Sequence, residues 1–260
     1  MTRVEGFRAL HVPGTPLLMP NPWDVGSARL LASMGFAALA TTSAGFAGTL
    51  GRPDGAVTRD EALAHAADLV AAVDVPVSAD LENGFGDDPA EVATTAAGAA
   101  AAGLAGFSIE DWSGTELYDV GLAAERIAAA SGAGCVLTAR AEGFLHGRPD
   151  LVDVIRRLQA YQEAGAHVLY APGLSRIEDV RDVVSSVDRP VNVLVWPGLP
   201  PVTGLAEAGV ARISVGGAFA LAALGAATRA ARELQSEGTY GFLELALEGR
   251  QQASTAWTTR

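Results

Sequence analysis

The chain has 260 residues, of which 49% are hydrophobic and 18% charged, and its formal net charge is −12. There is ample apolar material for a folded core and no compositional case for disorder. Nucleic-acid binders normally show clustered Lys and Arg, so this acidic balance argues against a nucleic-acid partner. The single cysteine, Cys135, excludes an internal disulfide. The opening residues lack the apolar core of a signal peptide and no apolar run reaches the ~20 residues of a membrane span, so we expect a cytoplasmic protein without a membrane partner.

Eight short apolar runs are predicted to be strands, beginning near residues 16, 37, 76, 105, 135, 167, 190 and 211. Between them lie intervals of roughly 20 to 40 residues, each with room for a helix. Four helix-like stretches end in a glycine that fits the C-cap role, namely Gly35, Gly103, Gly165 and Gly209. The run "TRDEALAHAADLVAAV" has helical spacing, and Thr58 with Glu61 resembles a capping box at its start.

Strands that alternate with helices predict a parallel sheet, and eight such units in about 250 residues favour a closed (β/α)8 TIM barrel. An open Rossmann-like sheet is the alternative, although no glycine fingerprint follows the first strand. We predict one barrel domain over residues 1–260, with a helical extension from about residue 236. The segment "TYGFLELALEGR" has an apolar face that could pack on another subunit, and the last residues, "QQASTAWTTR", are expected to be frayed.

Acidic residues collect where the predicted strands end. Asp80 and Glu82 follow the third strand in "SADLENGFG", Glu110 ends the fourth, and Asp54 lies in the loop "GRPDG" after the second. Carboxylates that converge on a partly buried site destabilise the fold unless a cation offsets them. All-oxygen ligands indicate a hard ion, so we predict Mg2+ or Mn2+. The alternative is that such acids cap the following helices, as Asp87 and Asp88 beside Pro89 are expected to do.

Other polar and aromatic residues at the same strand ends are candidates for substrate binding. Arg140, at the end of the fifth strand, suits a bidentate grip on a carboxylate, or else a structural ion pair with a neighbouring acid. The hydroxyls and amides of Thr41, Thr42 and Ser43 could hold an anionic oxygen, or could only form a turn. Trp23 and Asn192 come from the first and seventh strands. Trp23 could form an aromatic wall around a small acid, or it could pack in the core.

The motifs "NPWDVGSARLL", "TTSAG", "GRPDG", "ADLENGFG", "IEDW" and "ISVGGAFALAAL", in this order and spacing, resemble the isocitrate lyase and phosphoenolpyruvate mutase superfamily over nearly the whole chain. The resemblance implies that Asp80 binds Mg2+ directly while Asp54, Glu82 and Glu110 hold metal-bound waters. It also implies that Thr41, Thr42, Ser43 and Arg140 bind the carboxylate of a 2-oxo acid or its enolate, and that a C-terminal helix is swapped within a homodimer or homotetramer.

The chain departs from its relatives in the loop after the fourth strand. The lyases carry a Lys-Lys-Cys-Gly-His type segment there and the mutases a longer loop with Lys and Asn, whereas this chain reads "EDWSGTELYDVG". Cys135 opens the fifth strand that Arg140 ends, so we expect it to lie on the opposite face as core packing. Candidates for the missing acid or base are Tyr118, Glu142 and His146. The predicted catalytic set is Arg140, Glu110 and Tyr118.

The function predicted from this reasoning is a Mg2+-dependent lyase that cleaves a carbon–carbon bond of a small 2-oxo or 2-hydroxy dicarboxylic acid through an enolate. One alternative is a phosphonopyruvate- or oxaloacetate-type hydrolase, or a mutase-like enzyme, on the same site. A second alternative is a catalytically silent protein that binds a 2-oxo acid.

Overall fold

A computed structural model describes residues 2–258 of the chain. Its eight strands are β1 (Leu17–Met19), β2 (Leu39–Ala40), β3 (Val77–Asp80), β4 (Gly106–Glu110), β5 (Val136–Arg140), β6 (Val168–Tyr170), β7 (Val191–Leu194) and β8 (Arg212–Ser214). The helices are α1 (Arg3–Ala9), α2 (Val25–Ser33), α3 (Ser43–Thr49), α4 (Arg59–Ala72), α5 (Pro89–Ala101), α6 (Val120–Ser131), α7 (Leu151–Glu163), α8 (Ile177–Ser185), α9 (Val202–Glu207), α10 (Ala218–Ser236) and α11 (Leu243–Thr258). Among these helices, none combines the length and apolar character needed to cross a bilayer.

The strands form one parallel sheet in the order β1-β8-β7-β6-β5-β4-β3-β2. The Ala40 amide donates to the Pro20 carbonyl at 3.1 Å, which links the β1 and β2 edges into a nearly closed ring. The predicted (β/α)8 barrel is confirmed, and each predicted strand begins within two residues of an observed one. The four predicted cap glycines all have positive φ, between 78° and 101°, as a left-handed helix end requires.

Side chains that face the inside of the barrel divide into an apolar floor and a polar upper part. The floor is a buried cluster in which Phe7 of α1 closes the N-terminal end of the barrel against Leu17, Val136 and Val168. Gly106 makes this closure possible, because a Cβ there would lie 2.7 Å from the Phe7 ring. The main apolar core lies between the outside of the sheet and the surrounding helices. Polar side chains are therefore left to the C-terminal end of the barrel, where barrel active sites form.

Helices α10 and α11 form the C-terminal part of the described chain. Of α10 only Ala220 is buried, while Leu221, Leu224 and Leu234 are exposed. Helix α11 packs on α2, and the Trp257 indole donates to the Gly26 carbonyl at 3.2 Å. The prediction of a frayed end was therefore wrong for residues 251–258, because Trp257 anchors the helix; residues 259–260 lie outside the described residues. A helix swapped between subunits stays a prediction.

Candidate active site

Arg140 lies at the centre of the acidic strand ends. It ends β5 directly beside Glu110, its register partner on β4, and two residues before Glu142. Its guanidinium donates to Asp80 Oδ1 at 2.7 Å and Glu142 Oε1 at 2.8 Å, and it pairs with Glu110 Oε2 at 3.1 Å. The structure thus brings together three strand-end acids around one cation.

The run Thr41–Ser43 fixes the orientation of Asp80. The Asp80 amide donates to Thr41 Oγ1 at 2.9 Å, and the Ser43 amide donates to Asp80 Oδ2 at 3.2 Å. Thr42 caps α3 by accepting from the Gly45 amide at 3.3 Å. These three residues therefore lie at the site, and their binding of substrate stays a prediction.

The cluster carries more negative charge than Arg140 offsets. Burial, with the charges of Asp80 and Asp54, raises the pKa of Glu82 to about 7. Burial likewise raises the pKa of Glu110 well above its usual range, although Arg140 opposes this shift. For Arg140 itself burial opposes the charge, yet Glu142, Glu110 and Asp80 raise its pKa well above the ordinary value. A further cation would relieve the remaining repulsion.

The predicted metal ligands fit a hard divalent ion by chemistry and by charge. Asp54, Asp80, Glu82 and Glu110 all line the cavities at this end of the barrel and offer only oxygen ligands. As the side chains stand in residues 2–258, no group of three or more Asp, Glu, His or Cys is spaced to enclose a metal. Arg140 instead occupies the position between Asp80 and Glu110. The residues therefore suit an ion that keeps several of its own waters better than one enclosed by protein ligands.

The loop between β3 and α5 is held in a strained conformation. Glu82 and Phe85 have φ of 48° and 60°, a region that residues other than glycine rarely adopt. The fully buried Arg126 donates to the carbonyls of Asn83, Gly86 and Asp87 from beneath the loop. The position of Glu82 at the site thus depends on a cation from α6.

The structure does not place Tyr118 where a catalytic acid would act. Its hydroxyl donates to Asp87 at 2.5 Å and accepts from Asn83, and its ring lies under Arg126 at 4.1 Å. Tyr118 lines neither cavity, and burial together with Asp87 raises its pKa to about 12. Its observed contacts are those of a loop anchor. Asp87 accepts this hydrogen bond, whereas Asp88 caps α5 as predicted.

Two adjoining cavities open at the C-terminal end of the barrel. The outer cavity has a volume of about 1110 Å³ and the inner one, inside the strands, about 170 Å³. Both are lined by Ser43, Asp54 and Arg140, so the acidic cluster stands between them. A substrate could therefore contact the cluster from either side.

Two predicted substrate contacts have different outcomes. Asn192 lines the inner cavity, where it donates to Ser214 and accepts from Arg212. Trp23 lines neither cavity and is half-buried beside Gly45 of α3, so its contacts are those of packing. Arg212 was not predicted; it is buried in the barrel, and within the described residues its hydrogen-bond partners are neutral. Successive side chains of a strand point to opposite faces, so the polar-apolar-polar run "RIS" was the signal that could have indicated an inward-facing arginine.

His146 follows β5 and lies in the outer cavity. Its ring stacks on the Trp112 indole with centroids 3.7 Å apart, and its Nε2 lies 3.9 Å from Glu142 Oε2. Burial and the charge of Arg140 lower its pKa, which favours the neutral imidazole. Of the three sequence candidates for a proton carrier, His146 and Glu142 line this cavity.

Comparison with known proteins agrees with this architecture. The phosphoenolpyruvate phosphomutase family model matches residues 7–235. An uncharacterised Mycobacterium tuberculosis protein is 37% identical over 87% of this chain and 87% of its own length. A 2-methylisocitrate lyase from Halalkalibacterium halodurans is 30% identical over 79% of this chain and 73% of its own. The solved structure of a candidate lyase/mutase from Burkholderia cenocepacia J2315 is 53% identical, covers 96% of this chain and 94% of its own, and superimposes with a TM-score of 0.93. The chain therefore belongs to the phosphoenolpyruvate phosphomutase family, within the isocitrate lyase and phosphoenolpyruvate mutase superfamily.

Proposed function

We propose that this protein is a Mg2+-dependent lyase that cleaves a carbon–carbon bond of a small 2-oxo or 2-hydroxy dicarboxylic acid through an enolate. The observation that carries the proposal is the set of acids at the strand ends around one arginine, together with the raised pKa values of Glu82 and Glu110. Asp80, with Asp54, Glu82 and Glu110, would hold the ion. When bound, the ion would supply Lewis-acid stabilisation of the charge on the substrate's C2 oxygen, the atom that becomes the carbonyl oxygen.

Cleavage of a 2-hydroxy acid needs one proton removed and one supplied. A base takes the hydroxyl proton, the C2–C3 bond breaks, C2 becomes the carbonyl of a 2-oxo acid, and the electron pair leaves with C3 as an enolate of the other fragment. Protonation of C3 completes the reaction. Arg140 supplies fixed positive charge next to the reacting carboxylate, a kind of stabilisation that needs no rearrangement.

The proton carriers supported by the structure are Glu142 and His146. Glu142 is almost fully buried between Arg140 and the Asp111 side chain, which accepts from the Glu142 amide. His146 reaches toward Glu142 from the open side of the cavity and is about a third exposed. A group that contacts both the cavity and solvent can exchange protons between turnovers. His146 therefore takes the role that the sequence prediction gave to Tyr118.

The experiment is product analysis by NMR after incubation with Mg2+ and a panel of 2-oxo and 2-hydroxy dicarboxylic acids. A 2-oxo acid together with a second fragment released by C–C cleavage supports the lyase, and Asp80→Asn should abolish it. Incorporation of water into two acid products, with no new carbonyl compound, would indicate the hydrolase instead. Metal-dependent oxalate binding with no product from any acid would leave only a binding function.

A substrate of this kind is the partner we propose, and a homodimer or homotetramer is the proposed assembly. The exposed leucines of α10 support an assembly, because an apolar face of this kind is usually covered by another surface.

A further inference from the structure

The outer cavity is lined by a second arginine besides Arg140. Arg59 is the first residue of α4 and lines the outer cavity. The N-terminus of a helix carries partial positive charge, so a cation in the first turn destabilises the helix. Arg59 therefore does not lie there to stabilise α4.

Arg59 also lacks a carboxylate partner in a strongly acidic protein. Within the described residues its guanidinium pairs with no Asp or Glu, and its one hydrogen bond runs from Nη2 to the Phe85 carbonyl at 3.2 Å. Its Nε is buried and has no hydrogen-bond partner in residues 2–258. The terminal Nη1 makes no hydrogen bond within residues 2–258, and an anion bound in the cavity would supply an acceptor for it.

The other charged groups of the cavity leave this role to Arg59. Arg140 already contacts Asp80, Glu110 and Glu142, whereas the remaining charged lining is mostly acidic. A dicarboxylic acid that placed one end at the cluster would meet repulsion from these acids at its other end. Arg59 is the lining cation with donors available for that end.

We propose that Arg59 binds the second carboxylate of the substrate, the one remote from the metal cluster, and so selects dicarboxylic over monocarboxylic 2-oxo and 2-hydroxy acids. This inference rests on the proposed function, because it assumes that the first end of the substrate lies at Asp80 and Arg140. The Phe85 carbonyl orients the guanidinium, and the planar donors of an arginine suit a carboxylate.

The test compares two ligands that differ only in the remote carboxylate. N-oxalylglycine carries an oxalyl head and a second carboxylate, and N-ethyloxamate has the same head with a methyl group in that place. Both are titrated by calorimetry into the full-length protein with Mg2+, alongside oxalate, which contains the head alone. The variants are Arg59→Gln, Arg59→Lys and a matched control, Arg52→Gln. Arg52 lies seven residues earlier, has a side chain 43% exposed and pairs with Glu61 at 2.9 Å.

The wild-type protein should bind N-oxalylglycine at least about tenfold more tightly than N-ethyloxamate. Arg59→Gln should remove that preference and leave the oxalate affinity within about threefold, Arg59→Lys should retain part of it, and Arg52→Gln should change neither. Equal wild-type binding of the two ligands would overturn the inference, as would an equal loss of oxalate and N-oxalylglycine binding in a folded Arg59→Gln. If oxalate itself shows no Mg2+-dependent binding, the proposed function fails, and this inference fails with it.

Discussion

Replacing Arg126 with Met should destabilise the protein strongly, although this residue contacts neither cavity. The guanidinium donates to three backbone carbonyls, including Gly86 at 2.6 Å, and lies over the Tyr118 ring. A net ~1.5 kcal/mol for each hydrogen bond to a charged group gives about 4.5 kcal/mol, and the cation–π contact adds roughly 0.5–1 kcal/mol. Burial of the charged guanidinium is unfavourable, as its lowered pKa indicates, and this cost offsets part of the stabilisation. We therefore expect a loss of about 3–5 kcal/mol in the free energy of unfolding.

The assay is urea unfolding followed by circular dichroism, with Arg156→Met as the control. Arg156 has a side chain 62% exposed and, among residues 2–258, pairs only with Asp153, so its loss should cost no more than about 1 kcal/mol. Because Arg126 holds the loop that positions Glu82, its variant should also bind oxalate and Mg2+ more weakly under conditions where it stays folded. A loss below about 1 kcal/mol, or one equal to that of the control, would refute the reasoning that this cation holds the strained loop.

Three further predictions address the site and the barrel floor. Asp80→Asn should weaken Mg2+-dependent oxalate binding by at least about 100-fold in calorimetry, since it removes the charge at the centre of the ligand set, and unchanged binding would contradict that assignment. His146→Gln should slow formation of both cleavage products by about 10²-fold or more in NMR, with oxalate affinity within threefold; an unaltered rate would exclude His146 as proton carrier. Burial and Arg212 lower the pKa of His11 to about 3, below the ~6.5 of an unfolded chain, so the folded state favours the neutral ring. The resulting stability is present above about pH 6.5 and is lost as pH falls from there toward 3, by about 1.4 kcal/mol per pH unit. His11→Gln should reduce this dependence in urea unfolding at pH 4–7, and equal slopes for the two proteins would refute it.

The sequence alone determined the barrel and most of the acidic cluster. Hydrophobic runs at regular intervals, with glycines that close the preceding helices, are local signals, so the eight strands could be located to within two residues. Parallel strands all present their C-terminal ends on one face, and this rule alone brought Asp80, Glu110 and Arg140 together.

Only the tertiary structure decided which polar residues line the cavities and which pack within the scaffold. Tyr118 and His146 are both polar-loop residues in the sequence, but the direction of each loop sends the first under Arg126 and the second beside Glu142. Arg59 and Arg126 both lie in helices; one lines the cavity and the other is buried beneath a loop some 40 residues away. Such partners are distant along the chain, and sequence periodicity reports only on neighbours within a turn or a strand. The Trp257 contact with Gly26 is of the same kind, since the residues that anchor the last helix come from the start of the barrel.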